Sequence, residues 1–258
     1  MTLNFTLKNL EYTLLVFVRV ASIVSVAPFF GNTSIPAKVK AALSLFLSII
    51  MMNVVDYTGV SYEGSLGYTA VVMKEAITGL VIGIGSGFCL YILNYSGHFI
   101  DMELGLSMAM QLDPSSNIQS TITANFLSYL FMVLFLVSDM HYFIIDALVQ
   151  SYKRIPIGGA KIDGGLYEVI LKYVSDYFVI AIRIALPIFC CVFIINVVLG
   201  ILAKVAPQMN MFVIGIQLKL FVGLFILFMI MGMLPGIVDF IFQEMREITG
   251  MFMKALSP

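Results

Sequence analysis

The residues best suited to chemistry cluster in one stretch, 97–119, which reads GHFIDMELGLSMAMQLDPSSNIQ. It holds three carboxylates, Asp101, Glu103 and Asp113, with His98 and no Lys or Arg. A carboxylate pair would have to face one substrate to act as acid and base. Asp101 and Glu103 are two residues apart, so on a helix they point to different sides. His98 and Asp101, three apart, can meet, but a metal needs further ligands and His141 is the only other His in the chain. Neither HExxH nor GxSxG occurs. No catalytic residue, metal site or cofactor is expected, and the chain is read as not an enzyme. What is left is a polar break flanked by Met, with a breaker at Asp113-Pro114-Ser115-Ser116-Asn117. Pro114 disfavours helix at Asp113. The stretch is expected to face a protein-lined, partly aqueous interior.

The elements around it must then be membrane helices. The chain has 258 residues, 60% hydrophobic and 11% charged, with mean hydropathy +1.02. That leaves too little polar surface for a soluble domain, where about a quarter of residues are charged. The class is an all-α membrane protein, read as one domain over 1–258. Net charge −1 argues against a nucleic-acid partner. Cys89, Cys190 and Cys191 lie in apolar runs without CxxC spacing and read as small buried hydrophobes. Lys8 precedes an apolar run, but Arg19 interrupts it and no small-residue cleavage pattern follows, so no signal peptide is expected.

Along the chain, apolar blocks run over 12–30, 41–55, 68–93, 121–137, 142–149, 166–182, 183–202 and 211–238. A mixed, amphipathic helix is expected from Asp239 onward. Pro36 suits a first helical turn. Lys38, Lys40 and the basic loop 151–165 should share the cytoplasmic side, and the segment 56–67, without Lys or Arg, should lie opposite. Three crossings between the two basic loops conflict with that. A hairpin at Ser138-Asp139 within 121–149 would remove the conflict.

Several charges fall inside apolar blocks: Arg19, Lys74, Glu75, Arg183 and Lys219, beside Asp101 and Glu103. Arg19 in lipid would cost about 2.5–3.5 kcal/mol, so it is expected to face protein or snorkel. Lys74, Glu75, Arg183, Lys204 and Lys219 are read chiefly as pairing with other subunits. Gly79, Gly83 and Gly87 recur every four residues and form a ridge that admits a close helix backbone. Gly83-x-Gly85-x-Gly87 is not a nucleotide loop, lacking a preceding strand, a Lys and the spacing. Pro207-Gln208-Met209-Asn210 breaks a helix, with Asn210 placed to cap the next one.

Three stretches together carry a family resemblance: PFFGNTSIPAKVKAA from Pro28; EAITGLVIGIGSGF from Glu75, followed by Gly97-His98-Phe99-Ile100-Asp101 as a turn, then Gly105-Leu106 and Asp113-Pro114; and NVVLGILAKVAPQMNMFVIGIQLK from Asn196. In this order they resemble the FliR family of flagellar biosynthetic proteins, related to the T subunit of injectisome export apparatus. The similarity runs from about Tyr12 to the tail. The resemblance implies bent helical hairpins packed in a multi-subunit export gate, in the bacterial inner membrane at the flagellar basal body. It implies FliP-like, FliQ-like and FlhB-like partner subunits, contact with membrane lipid, and unfolded flagellar subunits as cargo. It also implies that Met108, Ala109, Met110, Gln111, Leu112, Asp113, Pro114, Ser115, Ser116 and Asn117 form a loop that plugs the pore. Flexible Met side chains suit a deformable seal. Pro207, Gln208, Met209 and Asn210 would set the bend that orients the last hairpin for assembly.

One rival comes from the residues alone. Secondary transporters use broken helices near the midplane, and Asp101, Glu103, Asp113 and Arg183 could serve as coupling or substrate residues. No repeated half is visible in support.

Overall fold

Arg19 is fully buried, and the helices around it follow from that. The computed structural model describes residues 7–32, 34–55, 62, 64–106 and 121–258. Among these are eight α-helices and no strand: α1 (Leu7–Val26), α2 (Ala37–Met51), α3 (Gly64–Leu104), α4 (Ile122–Val137), α5 (Met140–Arg154), α6 (Gly164–Val205), α7 (Met211–Met231) and α8 (Leu234–Ala255). Helices α3, α6 and α7 are long and apolar enough to cross a membrane, and α4 with α5 qualifies as a bent pair. At 1.5 Å per residue, α3 and α6 each run about 60 Å. That is roughly twice the hydrocarbon thickness of a bilayer, so part of each must be covered by protein or water.

The chain divides into two compact units, with boundaries inside α3, α6 and α8. The first comprises Met1–Cys89, Phe135–Val174 and Phe242–Pro258. Here α1, α2 and α3 run up, down and up. The Tyr12 hydroxyl donates to Val55 O at 3.3 Å, which sets α2 antiparallel to α1. Contacts of Tyr68 with Glu11, of Glu75 with Arg19 and of Gly83 with Ile23 advance together along both helices, so α1 and α3 are parallel. A Cβ on Gly79 would lie 2.6 Å from Arg19 O, and one on Gly83 would lie 3.2 Å from Ile23 O. The close backbone approach at these glycines is therefore with α1 of the same chain; Gly87 is buried. On another side of α3, Gly85 meets Phe252 of α8. Phe88, Tyr173 and Phe252 form an aromatic chain joining α3, α6 and α8.

Arg19 and Glu75 form a two-pronged ion pair, Nε to Oε2 at 2.6 Å and Nη2 to Oε1 at 3.0 Å, with both side chains 0% exposed. Arg19 Nη1 also donates to Ser151 O at 3.3 Å and Ile155 O at 2.9 Å. These carbonyls close the C-terminus of α5, where positive charge is favoured; Ser151 O also accepts the Ile155 N–H at 2.9 Å. The guanidinium lies 4.4 Å from the Tyr152 ring centre, and the Tyr152 hydroxyl donates to Val16 O at 3.0 Å. Gly158, at φ 75°, donates its N–H to Glu75 Oε1 at 2.8 Å. A non-glycine residue rarely adopts that φ. The irregular segment after α5 is thus bonded to buried charge.

The second unit comprises Leu90–Leu134 and Ser175–Ile241. The Ser96 hydroxyl donates to Ala181 O at 2.9 Å, joining α3 to α6. Tyr95 packs on Tyr177 and Phe178. Leu104 occupies the space left by Gly223 of α7.

Several expectations are corrected. The turn at Gly97–Asp101 is helix, because α3 continues to Leu104 and Asp101 finds uncharged partners. The blocks 166–182 and 183–202 form one helix that continues through Pro187. The block 211–238 is broken after Met231, and Pro235 stands in the first turn of α8, where its missing N–H costs nothing. Glu75 is paired within the chain, by Arg19, and not with another subunit. Of the cysteines, Cys89 is buried but Cys190 is exposed and Cys191 intermediate. The Ser138-Asp139 break is real but is a 73° bend, with Asp139 at φ 56°. Val54 and Val55, at the end of α2, line one cavity with Lys153, Pro156 and Ile157. Of the segment 56–67 expected on the opposite face, residues 56–61 and 63 lie outside the described residues.

Removing one partner of a buried pair leaves the other charge uncompensated, at about 3–5 kcal/mol. Arg19→Ala and Glu75→Ala should each lower stability on that scale, measured by denaturation of the purified protein in detergent. Arg19→Lys should also lose stability, because a point charge cannot serve Glu75 and two carbonyls in one plane.

Candidate functional site

The polar stretch singled out above divides at Gly105. Before it, Gly97, His98, Asp101 and Glu103 belong to the last turns of α3. Gly105 takes φ 78°, the left-handed value common after helix ends, and its N–H bonds Met102 O at 3.2 Å. The expected plug residues, Met108 to Asn117, lie outside the described residues. The chain is described again from Thr121, where α4 begins.

Both flanks of the segment 107–120 are held together. Asp101 is 1% exposed. Its Oδ2 accepts the Thr123 backbone N–H at 2.9 Å, and its Oδ1 accepts the Thr123 hydroxyl. Thr123 is the second residue of α4, whose first amides have no partner within the helix. A carboxylate placed there also meets the positive end of the helix dipole. This explains how an acid can be buried without a cation: neither ion pair among the described residues involves it. One turn earlier, a Cβ on Gly97 would overlap the backbone of Ala124. Only glycine allows α3 and α4 to approach this closely.

The other charges are scattered. Lys74 and Arg183 are exposed on the isolated chain, while Glu103 and Lys219 are half-buried. His98 is exposed and Asp101 is occupied by Thr123, so they are not joined. Among the described residues no group of three potential metal ligands comes together. At the 206–210 break, Met209 N–H bonds Ala206 O at 3.1 Å. Asn210 accepts from Val213 N at 3.5 Å and caps α7. Pro207, Gln208 and Met209 stand on the surface of that turn.

Thr123, Ser151, Ile155 and Gly158 were missed from sequence. Each enters through a backbone atom or through a partner more than twenty positions away. One signal was available: Arg19 and Glu75 are opposite charges inside two apolar blocks, and each needed a partner.

Large apolar side chains remain open on α6 and α7. In the most apolar eighteen residues of α7 only 11% are buried within the chain, against 61% in α3. Phe212, Phe221, Phe225 and Phe228 stand out along α7. Such a face requires lipid or another protein.

The family of bacterial export proteins, family 1, matches residues 10–245. The chain is 30% identical over 234 residues to the flagellar biosynthetic protein FliR of Bacillus subtilis (strain 168), covering 89% of this chain and 90% of that protein. Identity to FliR of Escherichia coli (strain K12) is 27%, covering 88% and 86%. For FliR of Aquifex aeolicus (strain VF5) it is 26%, covering 94% and 93%.

Gly97→Ala should cost about 1–3 kcal/mol by overpacking against Ala124. Gly200→Ala, where nothing lies within 4 Å of the added Cβ, should instead stabilise by about 0.5–1 kcal/mol through helix propensity. Detergent denaturation of the two variants checks the contrast.

Proposed function

The chain belongs to family 1 of the bacterial export proteins, and from that premise we propose that it is a structural and gating subunit of the flagellar type III protein export channel. It passes unfolded flagellar subunits across the bacterial inner membrane, at the basal body. The observation that carries this reading is the match across residues 10–245, with FliR relatives covered over nearly their whole length. The role is one of conduction and sealing, not catalysis. The comparisons lend no support to a solute transporter, and the structure ties Asp101 to Thr123 and leaves Arg183 elsewhere on the surface.

The open faces of α6 and α7 suit burial against FliP-like and FliQ-like membrane subunits, with an FlhB-like subunit around the gate. Helices of about 60 Å are too long to be bathed in lipid alone. Lys74, Glu103, Arg183 and Lys219 are left to contact those neighbours, and the 207–210 turn orients α7 for them. Residues Met108 to Asn117 seal the pore at rest; Met108, Met110 and Leu112 supply the deformable apolar contacts. The whole chain acts as one gate domain.

Deleting 108–112 should raise small-ion leakage across the inner membrane while the complex still assembles. Unchanged permeability together with normal export would count against a seal in this segment. Purification of the tagged chain should yield one large complex with two other small membrane proteins; an active monomer or simple dimer would favour transport of a solute.

A further inference from the structure

The export role leaves one cavity of the first unit without a task. It measures about 320 Å³ and lies between the end of α2 and the end of α5. Val54 and Val55 line one side; Val149, Tyr152, Lys153 and Ile157 line the other. Small-molecule sites run from about 300 to 1,000 Å³, so this one is large enough to hold part of a ligand. We propose that it seats an acidic phospholipid, with an acyl chain against the valines and Ile157 and the headgroup phosphate on Lys153.

Two independent features point to that ligand. The first is that both walls are tied in place. Apolar side chains ordinarily close up to fill such a space. Here the α2 wall is held by the Tyr12 hydroxyl on Val55 O at 3.3 Å, and by the Thr13 hydroxyl on Met52 Sδ at 3.4 Å. On the other wall, Ile157 stands between Ile155, whose carbonyl accepts from Arg19, and Gly158, whose N–H donates to Glu75. The Tyr152 ring is fixed by Arg19 on its face and by its hydroxyl on Val16 O. The buried ion pair therefore props the cavity open before any ligand arrives.

The second feature is charge. Lys153 is exposed and is the one charged residue among the described lining. Arg154 and Lys161 are exposed on the same stretch, and none of the three joins an ion pair among the described residues. Asp163 is the one carboxylate in 151–165, and it accepts the Gly165 N–H at 3.0 Å. Basic pockets beside membrane helices suit acidic headgroups. A soluble anion would satisfy Lys153 but leave the apolar walls bare. An uncharged lipid would cover the walls but leave Lys153 unmatched. An acidic phospholipid does both, and a membrane-embedded chain has it at hand.

The test uses the full chain, purified with the subunits that accompany it. Native mass spectrometry reads retained lipid after incubation with phosphatidylglycerol or phosphatidylcholine, each with and without inorganic phosphate. Phosphatidylglycerol should be retained several-fold better than phosphatidylcholine, and inorganic phosphate should not displace it. Lys153→Gln removes the charge, and Val149→Phe fills the space; each should lower phosphatidylglycerol retention several-fold. Lys153→Arg should keep it, and so should Lys38→Gln, which removes an exposed cation at the far end of α2. If Val149→Phe does not fold, Val54→Phe fills the cavity from its exposed side. Equal retention of the two lipids, or wild-type retention in Lys153→Gln, would overturn the proposal. So would an equal loss in Lys38→Gln, which would mean general attraction to charge. Displacement by inorganic phosphate, or wild-type retention in a folded cavity-filling variant, would reduce the site to an anion contact and overturn the lipid.

Discussion

Much of this chain depends on one arginine that cannot be left alone. Arg19 sits inside an apolar helix and has no route to water. Its positive charge is matched by Glu75, and its remaining donors close the C-terminus of α5 at Ser151 and Ile155. Glu75 in turn holds Gly158. Three segments far apart in sequence therefore meet at one ion pair. Hydrophobic burial could pack α1 on α3 in several registers, because apolar surfaces are not directional. An ion pair with two prongs fits one.

The same physics recurs on a smaller scale at Asp101. There the compensation comes from a helix N-terminus and a hydroxyl, not from a cation. The two sites use opposite ends of helix dipoles: Arg19 serves the negative end of α5, and Asp101 serves the positive end of α4. In both cases a charge costly to bury is stabilised by backbone groups at a helix end. Membrane proteins lack water to satisfy such groups, so each solution is structural as well as electrostatic. Glycine completes each site, by a positive φ at Gly158 and by close approach at Gly97.

The exposed faces show where the chain by itself is unfinished. Helix α7 buries little of itself, and α3 and α6 are each about twice as long as a bilayer core requires. A subunit that completes its core on neighbours fits these features, and membership of an export family gives the neighbours a reason to exist.

Composition and periodicity alone determined that the chain is helical and membrane-embedded. The ordered motifs around Pro28, Gly105 and Pro207 determined its family. The breaks at Ser138 and Asn210 were legible because turn and cap residues act locally. The partners of Arg19, Glu75 and Asp101 were not legible. Charge in an apolar block says only that a partner is needed, and the partner lay up to 136 residues away, often as a backbone carbonyl or amide that every residue carries. The continuity of α3 through Gly97 and Asp101 was misread for the same reason: a polar helix end looks like a break until Thr123 and Ala124 are placed against it. Local propensities wrote the elements. Only the tertiary structure decided which buried charge met which helix end, because that choice depends on geometry between segments and not on the residues within one.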